Sequence, residues 1–232
     1  MSHFVVAVLS HSPGEVEDLL APYSENDEAY YEFHEEDVGV YRLDYETNEK
    51  LQKDYPTFCE YLENEWGYEY NPVKNVYGRY YNPNAQWDWW TIGGRWDGIL
   101  SLKPHTQNKN QAQIKDVIFS QNTDAYAEAI RFWDIVVEGA PLRDGETIPL
   151  HLDSSYYVDQ FGTKERFAQV NSSLSVWAIV TPDGEWIENG KMGYFGIGDA
   201  TIESREQFAK CFNEIVVQGD PELYITIVDC HI

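Results

Sequence analysis

The chain has 232 residues, of which 43% are hydrophobic, and its 40 acidic residues outnumber 16 basic ones to give a net charge of −24. A chain of this length and apolar content fills a proper core, which excludes wholesale disorder, and its acidic surface repels phosphate backbones, which disfavours sequence-independent nucleic-acid binding. No apolar run reaches the ~18 residues of a membrane span, and MSHFVVAVLS is too short and lacks the basic flank of a signal peptide, so a soluble intracellular protein with no membrane partner is expected.

Cys59, Cys211 and Cys230 are odd in number and widely spaced, which fits reduced thiols better than a disulfide framework. The charge is uneven. Residues 1 to 70 hold 18 acidic and 3 basic residues, residues 71 to 150 hold 9 and 8, and residues 151 to 232 hold 13 and 5. The middle block is therefore nearly neutral, and a small anion is admissible there where Lys74, Arg79 and Arg95 converge.

Phe4 to Leu9 is a continuous apolar run and reads as a buried strand. Ser12-Pro13-Gly14-Glu15 is a capping box with Pro at the first helical position, opening a helix through about Leu20 that Pro22 stops. Residues 23 to 45 are rich in Tyr and Glu without clear periodicity, and an extended or partly mobile acidic segment is expected. From Thr47, Leu51, Tyr55, Phe58 and Leu62 recur at helical spacing, with Pro56 splitting the helix and Trp66-Gly67 ending it.

The stretch YYNPNAQWDWWTIGGRWDGIL, Tyr80 to Leu100, holds four of the eight Trp together with paired glycines, one Arg and two Asp. Asn82-Pro83-Asn84 predicts a turn. Trp87 to Ile92 is aromatic or β-branched except for Asp88, and Gly93-Gly94 tolerates the positive φ of a two-residue hairpin. That hairpin would place Trp87, Trp89, Thr91 and Trp96 on one face and Asp88, Trp90, Ile92, Arg95 and Asp97 on the other. The Trp residues can serve as core, with Arg95 in an ordinary ion pair. Alternatively, Trp90 stacks on a flat ligand while Arg95 and the Gly93-Gly94 amides hold an anion, a combination suited to bases and phosphates.

Beyond it, Lys103 to Gln113 reads as a surface loop, while Asp116 to Phe119 and Asp124 to Val137 read as helical. His151 and Asp153 alternate as ligands on a strand would, but no further residues complete a metal site. A short helix is expected after Gly162. Leu174 to Thr181 is the clearest strand, followed by the turn Pro182-Asp183-Gly184, the strand Glu185-Trp186-Ile187 and a second turn at Asn189-Gly190. In Lys191-Met192-Gly193-Tyr194-Phe195-Gly196-Ile197-Gly198-Asp199, glycines interleaved with aromatics suggest a backbone that closely approaches a ligand or the central hairpin, or a tightly packed bulged strand.

Glu203 to Val217 is amphipathic, and Leu223 to Val228 is a β-rich run leading to Asp229-Cys230-His231-Ile232. An apolar strand reaching the last residues is expected to dock in a sheet, with Asp229 and His231 on one face as a candidate acid–base pair.

Three motifs in order, NPNAQWDWWTIGGRW, VTPDGEWIENGKMGYFG and VDCHI, with a LAPYxEN-type segment at Leu20 to Asn26, resemble a family of proteins encoded by tailed phages and prophages. The resemblance spans most of the chain and is weaker over Glu28 to Glu69 and Lys103 to Ser155. It implies a phage origin, a host-cytoplasm location and an accessory role, and it assigns no activity residue by residue.

The expectation is a single α+β domain over residues 1–232, a mostly antiparallel sheet with helices packed on one side, and an acidic insertion or extended segment at about 23–70. The candidate ligand-binding set is Asn82, Asn84, Asp88, Trp90, Gly93, Gly94, Arg95, Trp96, Lys191, Met192, Gly193 and Tyr194, with no cofactor, metal or catalytic residue assigned. The functional expectation is antagonism of host defence by sequestering a nucleotide-derived small-molecule signal. The competing classes are an acidic inhibitor that docks on a host defence protein, with nucleic-acid mimicry as one form of it, and a nucleotide-processing hydrolase using Asp88, Asp97, His151, Asp229 or His231. Homo-oligomer formation is left open.

Overall fold

The computed structural model describes residues 2–120, 122–191 and 199–232. Within them the strands are β1 (His3–Ser10), β2 (Glu32–Glu35), β3 (Glu69–Asn71), β4 (Val76–Tyr81), β5 (Trp89–Ile92), β6 (Gln111–Gln113), β7 (Ala178–Val180), β8 (Trp186–Glu188) and β9 (Tyr224–His231). The helices are α1 (Val16–Leu20), α2 (Gly39–Thr47), α3 (Glu49–Asp54), α4 (Phe58–Trp66), α5 (Thr123–Val136), α6 (Ser154–Phe161), α7 (Lys164–Asn171) and α8 (Ile202–Phe212). The protein is α+β with a mostly antiparallel mixed sheet, as the sequence leads one to expect. The chain divides into two compact units, one formed by residues up to Leu20 together with Trp87–Ile232, the other by Ala21–Gln86.

In the first unit the strands run in the order β5-β9-β1-β7-β8, with β6 also paired to β9. β1 and β9 are antiparallel along their whole length, from His3 opposite His231 to Ser10 opposite Tyr224. Both are buried on their two faces, which is why they read as unbroken apolar runs rather than as alternating ones. β7 lies parallel to β1, and β8 returns antiparallel to β7 through the Pro182-Asp183-Gly184 turn.

On one face of this sheet Val5, Ala7, Leu9, Ile225 and Ile227 pack with Phe208 of α8 and with Val216 of the turn that follows it. A separate aromatic cluster joins α5 and α7 through Ala129, Trp133, Phe167 and Ala168. The helix starting at Val16 is entered as the capping box predicts, with the Glu15 carboxylate accepting from the backbone N–H groups of His11 and Ser12 and from the Ser12 hydroxyl.

The second unit is a small antiparallel sheet, β2-β4-β3, with α2, α3 and α4. Its core is aromatic: Tyr61, Leu62 and Tyr68 pack with Tyr41, Tyr45, Tyr55, Phe58 and Tyr77. The helix split expected at Pro56 is present, α4 being capped by Thr57 and Glu60 and closed by Gly67 in the left-handed region at φ 65°.

The segment 23 to 45, expected as extended or mobile, is instead ordered into β2 and α2. Its packing is done by Val38, Tyr41 and Tyr45, which are at helical spacing but too few, among charged and polar neighbours, for the period to stand out. At Gly78 of β4 an added Cβ would lie 2.1 Å from the His34 carbonyl oxygen, so the close β2–β4 pairing requires glycine there.

Other local expectations need correction. Asp116 to Phe119 is not helical: a 3-10 turn covers Ile114–Asp116, and Val117 bridges to Leu102. His151 and Asp153 do not lie on a strand, and Asp153 stands at the N-terminal cap of α6. Regular pairing within Leu174 to Thr181 is confined to the three residues of β7. The glycine-rich stretch at 192–198 lies outside the described residues.

Because Ile227 is fully buried at the centre of β9, Ile227→Ala is expected to lower stability by about 2–5 kcal/mol through lost burial and a residual cavity. Urea denaturation would measure this as a fall in midpoint at unchanged slope.

Candidate functional site

The hairpin expected around Gly93-Gly94 does not form. β5 pairs with β9, Trp89 lying opposite His231 and Ile92 opposite Val228, while β6 takes the same edge of β9 further along. Between them, Gly93 donates its N–H to the Ile227 carbonyl and Asn110 accepts the Ile227 N–H, so the chain leaves the β9 edge at Gly93 and returns at Asn110. The stretch Gly94–Trp96 is a 3-10 turn within that excursion. Asn110 ties its two ends, its side chain donating to Asp97 at 2.6 Å and accepting from the Gly98 N–H at 2.7 Å.

This pairing assembles a polar cluster that the hairpin would not have made. In an antiparallel ladder, opposed residues share a face, so His3, His231 and Trp89 lie side by side, and Asp229 sits one step inward on the same face beside Val5 and Thr91. His3 Nδ1 is 2.8 Å from Asp229 Oδ1, and His231 Nδ1 is 2.6 Å from Asp88 Oδ1. An ionised carboxylate only accepts, so each Nδ1 carries the proton and donates it, which leaves each neutral ring's lone pair on Nε2.

The two imidazole centroids are 4.9 Å apart at 74°. Trp89 stacks on His231 at 5.4 Å and 17° and meets His3 edge-on at 5.4 Å and 81°. Asp229 is only 2% exposed, and a buried carboxylate of this kind needs full satisfaction. Its Oδ2 accepts the Arg95 backbone N–H at 2.9 Å, completing what His3 begins.

The glycine that precedes Arg95 is part of the same arrangement. Gly94 has φ +53°, and an added Cβ would stand 2.3 Å from Asp229 Oδ2. The side chains of His3 and His231 are 12% and 7% exposed. Neither Nε2 has a hydrogen bond among the described residues, and neither is among the fully enclosed atoms lacking a partner, so each is uncommitted within a largely buried ring.

Cys230, between the two site residues on β9, is buried on the opposite face. Burial, and then the Asp229 charge, push its thiol well above the ordinary range, so it stays protonated and is no nucleophile. Among the described residues no group of three or more His, Cys, Asp or Glu is arranged to hold a metal ion.

The residues singled out from the sequence are dispersed by this geometry. Asp88 reaches His231, leaving the face it was expected to share with Trp90. Trp90 lies opposite Cys230, which in turn lies opposite Phe4, so its half-buried ring belongs to the other side of the sheet from Trp89. Trp96 packs against the main core cluster, while Arg95 projects an exposed side chain from the 3-10 turn.

Asn82 and Asn84 belong to the Ala21–Gln86 unit. There the Asn82 amide donates to the carbonyls of Pro22 and Ser24 and its oxygen accepts the Asn84 N–H, a structural clamp. Lys191 is exposed and donates its backbone N–H to Asp199. Met192, Gly193 and Tyr194 lie outside the described residues. The acid–base pairing expected between Asp229 and His231 is redistributed, since each takes a different partner. His3 is the residue that sequence reasoning missed, and its signal was present: an antiparallel pairing of the first and last apolar runs puts it opposite His231.

The fold and the cluster together define an α+β protein with twin histidine–carboxylate pairs at one end of its two central strands. No family model matches the sequence, and no curated protein or solved structure matches it either.

Gly94→Ala is expected to lower stability by about 2–3 kcal/mol, through left-handed strain and a displaced Asp229. Gly98→Ala is the control: it also has positive φ, but its Cβ would meet nothing closer than 3.8 Å, and it should cost about 1 kcal/mol. Equal losses on urea denaturation would mean that the contact with Asp229 contributes nothing.

Proposed function

We propose that this chain binds a nucleotide-derived small molecule at the β5 edge of its main sheet, and that it acts as a phage accessory protein that antagonises host defence by withholding such a signal in the host cytoplasm. The observation that carries the reading is Trp89. Its indole is 43% exposed yet held by the stack on His231 and the edge contact with His3. A fixed, exposed aromatic face of this kind suits a nucleobase, whose stacking contributes about 1–3 kcal/mol.

Phosphate recognition is served by the imidazoles against that ring and by the 3-10 turn that follows β5. The two uncommitted Nε2 atoms are donors when protonated, and Arg95 supplies a permanent cation whose backbone is fixed to Asp229. The stacking role thus passes from Trp90 to Trp89. Residues 71 to 150, which contain β5 and the 3-10 turn, carry 9 acidic and 8 basic residues, so an anion approaching this segment meets little local repulsion.

A thermal-shift screen with cyclic di- and trinucleotides, ADP-ribose derivatives and ordinary nucleotides tests the reading. A ligand at 100 times its Kd adds about 2.7 kcal/mol, a shift of roughly 5–10 °C for a chain of this size. Trp89→Ala should abolish the shift and Trp90→Ala should leave it. A shift that survives Trp89→Ala would remove the indole from the site, and no shift with any nucleotide would remove the proposal.

One feature of the Ala21–Gln86 unit favours a second reading, an acidic inhibitor of a host defence protein that acts as a nucleic-acid mimic. Val40 and Leu43, one turn apart on α2, are 80% and 65% exposed in a segment with 15 acidic and 5 basic residues. An apolar pair framed by carboxylates suits a partner surface with a basic rim. Affinity for such a partner would fall steeply with salt and be indifferent to Trp89→Ala.

A further inference from the structure

The twin histidine–carboxylate pairs have a capacity that binding alone does not use. Each imidazole is oriented by its own carboxylate through Nδ1, each has an Nε2 with no hydrogen bond among the described residues, and the rings are 4.9 Å apart. Cleavage of a phosphodiester by proton transfer needs one neutral imidazole to take a proton and one protonated imidazole to give one. Two rings of the same build, in contact at one end of the sheet, supply both roles.

We infer that this site cleaves short ribonucleotide phosphodiesters by transfer to the neighbouring 2′-hydroxyl, with His3 and His231 as the acid–base couple, and the inference rests on the nucleotide-binding reading of the same site. One imidazole takes the proton of the 2′-hydroxyl, and O2′ forms a bond to phosphorus as the P–O5′ bond breaks. The other imidazolium gives its proton to the departing O5′. The products are a 2′,3′-cyclic phosphate and a 5′-hydroxyl. The two rings finish with their protons exchanged and are reset through water, so no co-reactant is consumed.

The nucleophile comes from the substrate, which explains how two imidazoles suffice: a hydroxyl held on the adjacent ribose carbon has the proximity that free water lacks. Trp89 holds a base beside the rings, and the exposed Arg95 offsets charge gathering on the phosphoryl oxygens. Asp88 and Asp229 are positioning residues, fixing tautomer and ring direction. A net charge of −24 directs the site to small ribonucleotides rather than long RNA.

The test uses the full chain with 3′,5′-linked cyclic diadenylate and cyclic diguanylate, together with their 2′-O-methyl counterparts. Binding is read by thermal shift and products by mass spectrometry. The expected result is binding of both forms of at least one probe, with only the ribose form opened to a linear product ending in a 2′,3′-cyclic phosphate. His3→Gln and His231→Gln should each slow that opening at least about 100-fold while the protein still melts cooperatively.

Ribose probe bound and recovered intact overturns the cleavage inference and leaves the binding reading standing, whereas absence of binding by every probe overturns the cleavage inference and leaves the binding reading to the wider nucleotide screen. Opening of the 2′-O-methyl probe by the wild-type protein overturns the 2′-hydroxyl route whether or not the variants fold. Undiminished opening by either histidine variant overturns the assignment of the couple.

Discussion

Eight-residue strands β1 and β9 are locked in register from His3 opposite His231 to Ser10 opposite Tyr224, and a slip of one residue would turn Asp229 and His231 to the face away from His3. The same slip would turn Ile225 and Ile227 away from the core that they fill beside Val5, Ala7 and Leu9. Apolar burial further along the ladder therefore fixes the polar geometry at its end. The candidate site owes its distances to hydrophobic packing that none of its own residues provides.

The cluster also answers a cost. Asp229 is nearly inaccessible, and a carboxylate removed from water needs its hydrogen bonds supplied by the protein. One oxygen faces His3 and the other the Arg95 N–H. The second bond exists only because the chain turns tightly at Gly93 and Gly94, where a side chain on Gly94 would collide with the carboxylate. The paired glycines thus serve the approach of backbone to a buried charge. A glycine pair in a β-rich sequence reads equally as a hairpin turn, and the two uses differ only in what lies opposite.

The Ala21–Gln86 unit follows a different physical recipe. Its sheet is short and its core is built from tyrosines rather than aliphatic residues, which lets ring faces pack while hydroxyl groups find partners, as Tyr61 does with Asp44 and Tyr45 with the Tyr55 carbonyl. Carboxylates then occupy the surface around it. Such a unit can be ordered and strongly acidic at once, so its composition looked like that of an extended segment.

Local chemistry was enough to read several elements from the sequence by itself: the buried runs that became β1 and β9, the Ser12–Glu15 capping box, the division of α3 from α4 at Pro56, the Gly67 cap, and the turn before β8. In each, the deciding interactions lie within a few residues, or the apolar pattern alone suffices. The site was legible only in parts, since Asp88, Asp229 and His231 stood out while His3 did not and Trp89 was assigned to the plainer face. What joins them spans 226 residues from His3 to Asp229, 143 from Asp88 to His231 and 134 from Arg95 to Asp229. Sequence periodicity specifies which face a residue takes within its own strand. Which strand lies alongside was decided by the tertiary structure, because burial of the whole sheet selects the pairing and no local signal distinguishes a β5–β9 ladder from a hairpin.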